Sequence, residues 1–142
     1  LNIRASQAGC LSELDRLVRP TSARLRLDPV PTASRSARDF VSRACLDWGF
    51  GHGIDAACLV ISEVVSNVLQ HAGTEMEVSV ARYKRRVRLA VRDHNSTFPH
   101  KLPLDIERPN GRGLLLVEAF SRAWGTLPAN DRGKVTWAVL DV

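Results

Sequence analysis

The chain reads as an α+β two-layer sandwich: a mixed, mainly antiparallel sheet covered on one face by three helices. Two observations predict this. The apolar period switches from helical to alternating after Gly73 and back to helical after Gly111. The strand-like runs come mainly as neighbours joined by short polar turns, without the regular crossovers of a parallel sheet. The expected order is β-α-α-β-β-loop-α-β-β.

Each element has a local reason. Leu1 to Pro20 has poor periodicity and stops at Pro20, so residues 1–22 are expected to form a tail or short helix and 23–142 the domain. Ala23 to Leu27 alternates as a first strand, and Asp28-Pro29-Val30-Pro31 breaks it. Thr32 or Ser34 is placed to cap a helix from Ala33 to about Trp48, with Ala37, Phe40, Val41, Ala44 and Cys45 at helical spacing. After Gly49-Phe50-Gly51-His52-Gly53, a second helix is expected from Ile54 to His71, closed by Gly73. Met76, Val78 and Val80 alternate with polar residues, as do Val87, Leu89 and Val91, which makes a hairpin. Asp93 to Asn110 is loop-like, broken by Pro99, Pro103 and Pro109. Gly111-Arg112-Gly113 opens a third helix, Leu114 to about Ala123. Trp124 to Leu127 and Val135 to Leu140 are the last strands, turning through Pro128 to Gly133.

Composition narrows the class. The 142 residues suit one core, and 44% hydrophobic with 25% charged residues is the balance of a soluble globular protein. No uninterrupted apolar run approaches the ~20 residues that span a bilayer. Arg4, Glu13, Asp15, Arg16 and Arg19 do not fit a secretory signal. Cys10, Cys45 and Cys58 form no C-x-x-C pair, so free thiols and a cytoplasmic location are expected, with no membrane contact. The net charge of +5 comes almost wholly from arginine, lysine standing only at 84, 101 and 134. Arg82, Lys84, Arg85, Arg86 and Arg88 cluster at the hairpin turn. A solvated tip accounts for them, and without a recognition motif no direct nucleic-acid contact is expected.

The chemistry concentrates in Glu63-Val64-Val65-Ser66-Asn67-Val68-Leu69-Gln70-His71-Ala72. Four-residue steps advance only about 40° around a helix, so Glu63, Asn67 and His71 share a stripe. A carboxylate and a carboxamide one turn apart are oxygen donors suited to a Mg²⁺-nucleotide, since Mg²⁺ takes only one or two protein oxygens. Taken singly, the pair also describes a solvated helix face, Gly111-Arg112-Gly113 a turn, and Asp93 a strand end. Trp48, Trp124 and Trp137 read as core or sheet-packing residues, and His71 as a pocket-edge or helix-end hydrogen bonder.

Together and in order, these segments resemble the ATP-binding domain shared by gyrase-type ATPases, Hsp90-type chaperones and histidine kinases, most closely the anti-sigma factor serine kinases. Ser62 to Ala72, Val91-Arg92-Asp93 with Pro99, Gly111 to Val117, Trp124-Gly125 and Gly133 to Trp137 carry the resemblance, which extends from about Ala23 to Leu140. It implies a Bergerat-type ATP-binding fold with ATP and Mg²⁺ as cofactors. Asn67 would be the metal ligand and Glu63 the general base. Asp93 would accept a hydrogen bond from the adenine amino group. Gly111, Arg112, Gly113 and Leu114 would form a helix start facing the phosphates, the glycines admitting close backbone approach. Arg112 has two open roles, a phosphate charge or a solvent-facing side chain.

The function this implies is a regulatory serine-protein kinase acting as an anti-sigma switch. Its expected partners are a sigma factor and a small antagonist protein that it phosphorylates, and homodimers are possible. Relatives often continue the aspartate as D-x-G-x-G, whereas this chain has Asp93-His94-Asn95-Ser96-Thr97-Phe98-Pro99. That departure motivates the alternative, a non-catalytic or weakly ATP-binding interaction module of the same fold. A detached sensor-kinase domain fits less well, because no dimerisation helix pair bearing a phosphorylatable His is present in the sequence.

Overall fold

The computed structural model describes residues 21–95, 111–130 and 132–142, residues 111–113 by their backbone alone. The expectations for the N-terminal tail, for the proline-broken loop from Ser96 to Asn110 and for the Arg112 side chain lie outside the described residues.

Five strands form one open sheet in the order β1-β2-β3-β5-β4. They are β1 (Ser22–Leu27), β2 (Met76–Tyr83), β3 (Arg86–Asp93), β4 (Ala123–Pro128) and β5 (Lys134–Asp141). Every described pairing is antiparallel, so the sheet is antiparallel throughout rather than mixed. Three helices cover one face: α1 (Ala33–Asp47), α2 (Ile54–Asn67) and α3 (Gly111–Phe120). Alternation decides which side chains meet them. Met76, Val78 and Val80 of β2 and Val87, Leu89 and Val91 of β3 are buried. Arg24, Arg26 and Arg88 lie on the opposite face, exposed. Trp137 is also on that face, against Gly125, where a Cβ would come within 3.0 Å of the indole.

α2 is the central helix of the helical layer. Ala57, Val60, Ile61, Val64 and Val65 turn one flank to the core, each at most 3% exposed. A fully buried isoleucine such as Ile61 contributes roughly 1.5–3 kcal/mol. The stretch Gly51–Ala72 is long and apolar enough to cross a membrane by length and composition. Here its apolarity serves the core, with α1 and α3 packed against it.

Three details differ from the sequence expectation. Thr32 stands at the N-cap position of α1, but neither its side chain nor that of Ser34 makes a capping hydrogen bond. The Ala33 amide donates to the Val30 carbonyl (2.9 Å) and the Ser34 hydroxyl lies 3.5 Å from that of Ser66, so a backbone turn and an inter-helix contact take those groups. The second helix does not stay α-helical to His71. Val68–Ala72 widens into a π turn, and the Gly73 amide closes it on the Val68 carbonyl at 2.8 Å. Gly73 sits at φ +61°, the left-handed conformation that glycine adopts at helix ends. The third helix starts at Gly111, three residues early, and ends at Phe120. The sheet takes over at Arg122, which donates its amide to the Val139 carbonyl (2.7 Å), and Ala123 pairs with Val139.

Cys45 is buried and free, Cys58 half-buried beside Ser42 (3.2 Å). Burial, with a smaller contribution from Cys58, pushes the Cys45 thiol up to about 11. Thiolate is the reactive form, so Cys45 stays inert near neutral pH. In native protein at pH 8, iodoacetamide followed by peptide mapping is expected to leave Cys45 unmodified while Cys58 is alkylated. In denaturant both react.

Candidate functional site

The register brings one acid and one base together at the end of the sheet. Asp93, last in β3, pairs with Lys134, first in β5, and both point to the helix side. Their side chains are 1% and 8% exposed, with the ammonium 2.9 Å from Asp93 Oδ2. The Asn95 amide donates to Asp93 Oδ1 at 2.9 Å, an aspartate turn closed by the residue after next. Lys134 Nζ donates to the Asn95 carbonyl at 3.3 Å. Oδ2 has the Lys134 ammonium as its ion-pair partner but no aligned hydrogen-bond donor. A buried carboxylate oxygen without an aligned donor is rare in a folded protein and singles out Asp93 as a candidate recognition group.

Gly133 makes this packing feasible. A Cβ there would collide with the Asp93 carbonyl oxygen, and backbone cannot move aside as a flexible side chain can. Gly133→Ala is expected to cost about 1–3 kcal/mol in urea denaturation, the range for forced overpacking. It should also displace the strand end that carries Asp93.

The His94 amide donates to Thr74 Oγ1 (3.1 Å), which ties the end of β3 to the segment leaving α2. Ser62 accepts from Arg38 of α1 (3.1 Å), and Ser66 lies against Ser34, so those serines mark the flank facing α1. Glu63 and Asn67 each stand one residue later, about 100° further round. Both are half-buried. His71, which spacing groups with them, falls beyond the change to the π turn and is exposed. Turns of this kind recur at functional sites.

Gly111, Arg112, Gly113 and Leu114 form the first residues of α3, which packs on α2 and β4. Amides of a first helical turn have no partner within the helix, so this backbone presents donors. Leu114 is half-buried and Val117 wholly buried. Glu63 and Asn67 thus stand half-buried on α2, Asp93 is buried at the end of β3, and His71 is exposed within the π turn.

Sequence reasoning missed Lys134 and the contact role of Gly133. The signal was available: Thr136, Ala138 and Leu140 alternate inward, and extending that alternation back two residues places Lys134 inside. A lysine at an inward position needs a counter-charge. Among the described residues no group of three His, Cys, Asp or Glu side chains gathers to hold a metal. A shallow cavity of about 530 Å³ between β1 and the end of α1, lined by Ala23, Ala44, Leu46 and Trp48, lies at the other end of β1. It gathers none of these groups.

Residues 24–140 match the family model described as histidine kinase-like ATPase domain, a span that reaches into all five strands and three helices. A comparison with curated proteins finds no match.

Proposed function

Because the chain belongs to the histidine kinase-like ATPase domain family, we propose that it binds ATP at the helix–sheet boundary and is a regulatory serine-protein kinase of the anti-sigma type. The observation that supports this most is the buried Asp93 carboxylate at a strand end, whose Oδ2 has an ion-pair partner but no aligned hydrogen-bond donor. An ionised carboxylate only accepts, so it favours a base with an exocyclic amino group there over one with an oxo group. Asn67 offers a carboxamide oxygen for Mg²⁺, and the first-turn amides of α3 suit the phosphates. When bound, Mg²⁺ neutralises phosphate charge. Glu63, one turn from Asn67, would receive the proton of the attacking serine hydroxyl on its carboxylate.

The regulatory reading takes a sigma factor as the protein held and a small antagonist as the protein phosphorylated. Its test is incubation of the pure protein with γ-labelled Mg²⁺-ATP and candidate antagonists, then mapping of the label. Transfer to one serine of one antagonist supports it. Nucleotide binding without transfer to any antagonist would favour the interaction module, a reading that the glycine-free loop after Asp93 also favours.

A further inference from the structure

The reading of Asp93 as the base-recognising carboxylate leaves Lys134 without a role, and the present inference rests on that reading. We propose that Lys134 is a positioning residue for base selectivity: it holds Asp93 and Asn95 in the arrangement from which the carboxylate reads a purine 6-amino group.

Three contacts cross-tie the strand end. Asn95 donates its amide to Asp93 Oδ1 (2.9 Å), Lys134 donates to the Asn95 carbonyl (3.3 Å), and its ammonium stands 2.9 Å from Oδ2. One carboxylate oxygen is thereby fixed by the Asn95 amide and the other held by the charge of the ammonium. The ammonium supplies charge to Oδ2 at 2.9 Å without an aligned hydrogen bond to it. Such a carboxylate is compensated electrostatically and still able to accept.

The loop needs this tie. Positions 94–97 are His, Asn, Ser and Thr, with no glycine to relax the backbone beneath a base. Lys134 grips the Asn95 carbonyl from the neighbouring strand instead, and Gly133 admits the close approach between the two strand ends. Without the ammonium, Asp93 would be a buried charge with no counter-ion, a costly state that movement of the strand end toward water relieves. That movement removes the acceptor from the base.

A purely structural ion pair predicts the same loss of stability, so selectivity is the deciding readout. Mg²⁺-ATP and the Mg²⁺ complex of purine riboside triphosphate, which lacks only the 6-amino group, are titrated calorimetrically into wild type, Lys134→Met and Lys134→Gln. The same lysine changes are made in an Asp93→Asn background, and circular dichroism confirms the fold of each variant. A hydrogen bond to a charged acceptor corresponds to roughly a 10- to 100-fold preference for ATP in wild type. The expected result is that both lysine variants lose most of this preference, while in the Asp93→Asn background neither changes it. Lys134→Gln keeps most of the side-chain volume without the charge, so the test survives if Lys134→Met does not fold. Equal weakening of both nucleotides, or an undiminished preference, would overturn the role of Lys134 while leaving ATP binding intact. A wild type that binds both nucleotides equally would overturn base reading by Asp93, and Lys134 with it. Binding of neither would overturn the ATP reading itself.

Discussion

Asp93→Ala is expected to destabilise the fold by about 3–5 kcal/mol, the range for removing one partner of a buried ion pair, and to abolish ATP binding. The two losses have different origins. Stability falls because the Lys134 ammonium, 8% exposed, is left with the Asn95 carbonyl as its remaining polar contact here. Binding falls because the acceptor itself is gone. The double variant Asp93→Leu with Lys134→Met separates them: it removes both charges and should recover much of the stability without recovering any binding. Urea denaturation gives the first quantity and nucleotide titration the second. A single variant as stable as wild type would mean that the pair contributes nothing to the fold.

Glu63→Gln is expected to lower phosphotransfer about 10²- to 10⁴-fold, the usual contribution of a positioned general base, with ATP affinity largely retained. Glutamine keeps the shape and loses the proton-accepting charge. Glu63 stands one helical turn from Asn67 on a half-buried edge of α2, off the flank that grips α1. The substitution should therefore leave the core packing of α2 in place. Labelled-phosphate transfer measured beside calorimetry makes the comparison, and undiminished transfer would remove Glu63 from the chemistry.

Much of the fold was legible because periodicity reports burial directly. The alternation of Met76, Val78 and Val80, and of Val87, Leu89 and Val91, marked both strands and the face that they bury. The helical spacing of Ala37, Val41 and Cys45 marked the inner flank of α1 for the same reason. What escaped depended on contacts distant in sequence. The π turn at Val68–Ala72 is a change of hydrogen-bond partner that composition does not encode. The end of α3 is set by where the sheet recruits Arg122 and Ala123. At the site, Glu63, Asn67 and Asp93 were visible as residue types in a family's order. Lys134 was not, because its meaning comes from the β3–β5 register that sets it opposite Asp93. The aspartate carried a recognisable pattern, whereas the side chain that compensates it carried none until the strands were paired.

The central claim is that the helix–sheet boundary holds a nucleotide read by Asp93 and bound through Asn67. Calorimetric titration of Mg²⁺-ATP into the wild-type protein, with Asp93→Asn and Asn67→Ala as controls, tests it most directly. Binding in the micromolar range is expected for wild type, with its loss in both variants. Absence of wild-type binding at millimolar ATP, or equal binding by all three proteins, would contradict it.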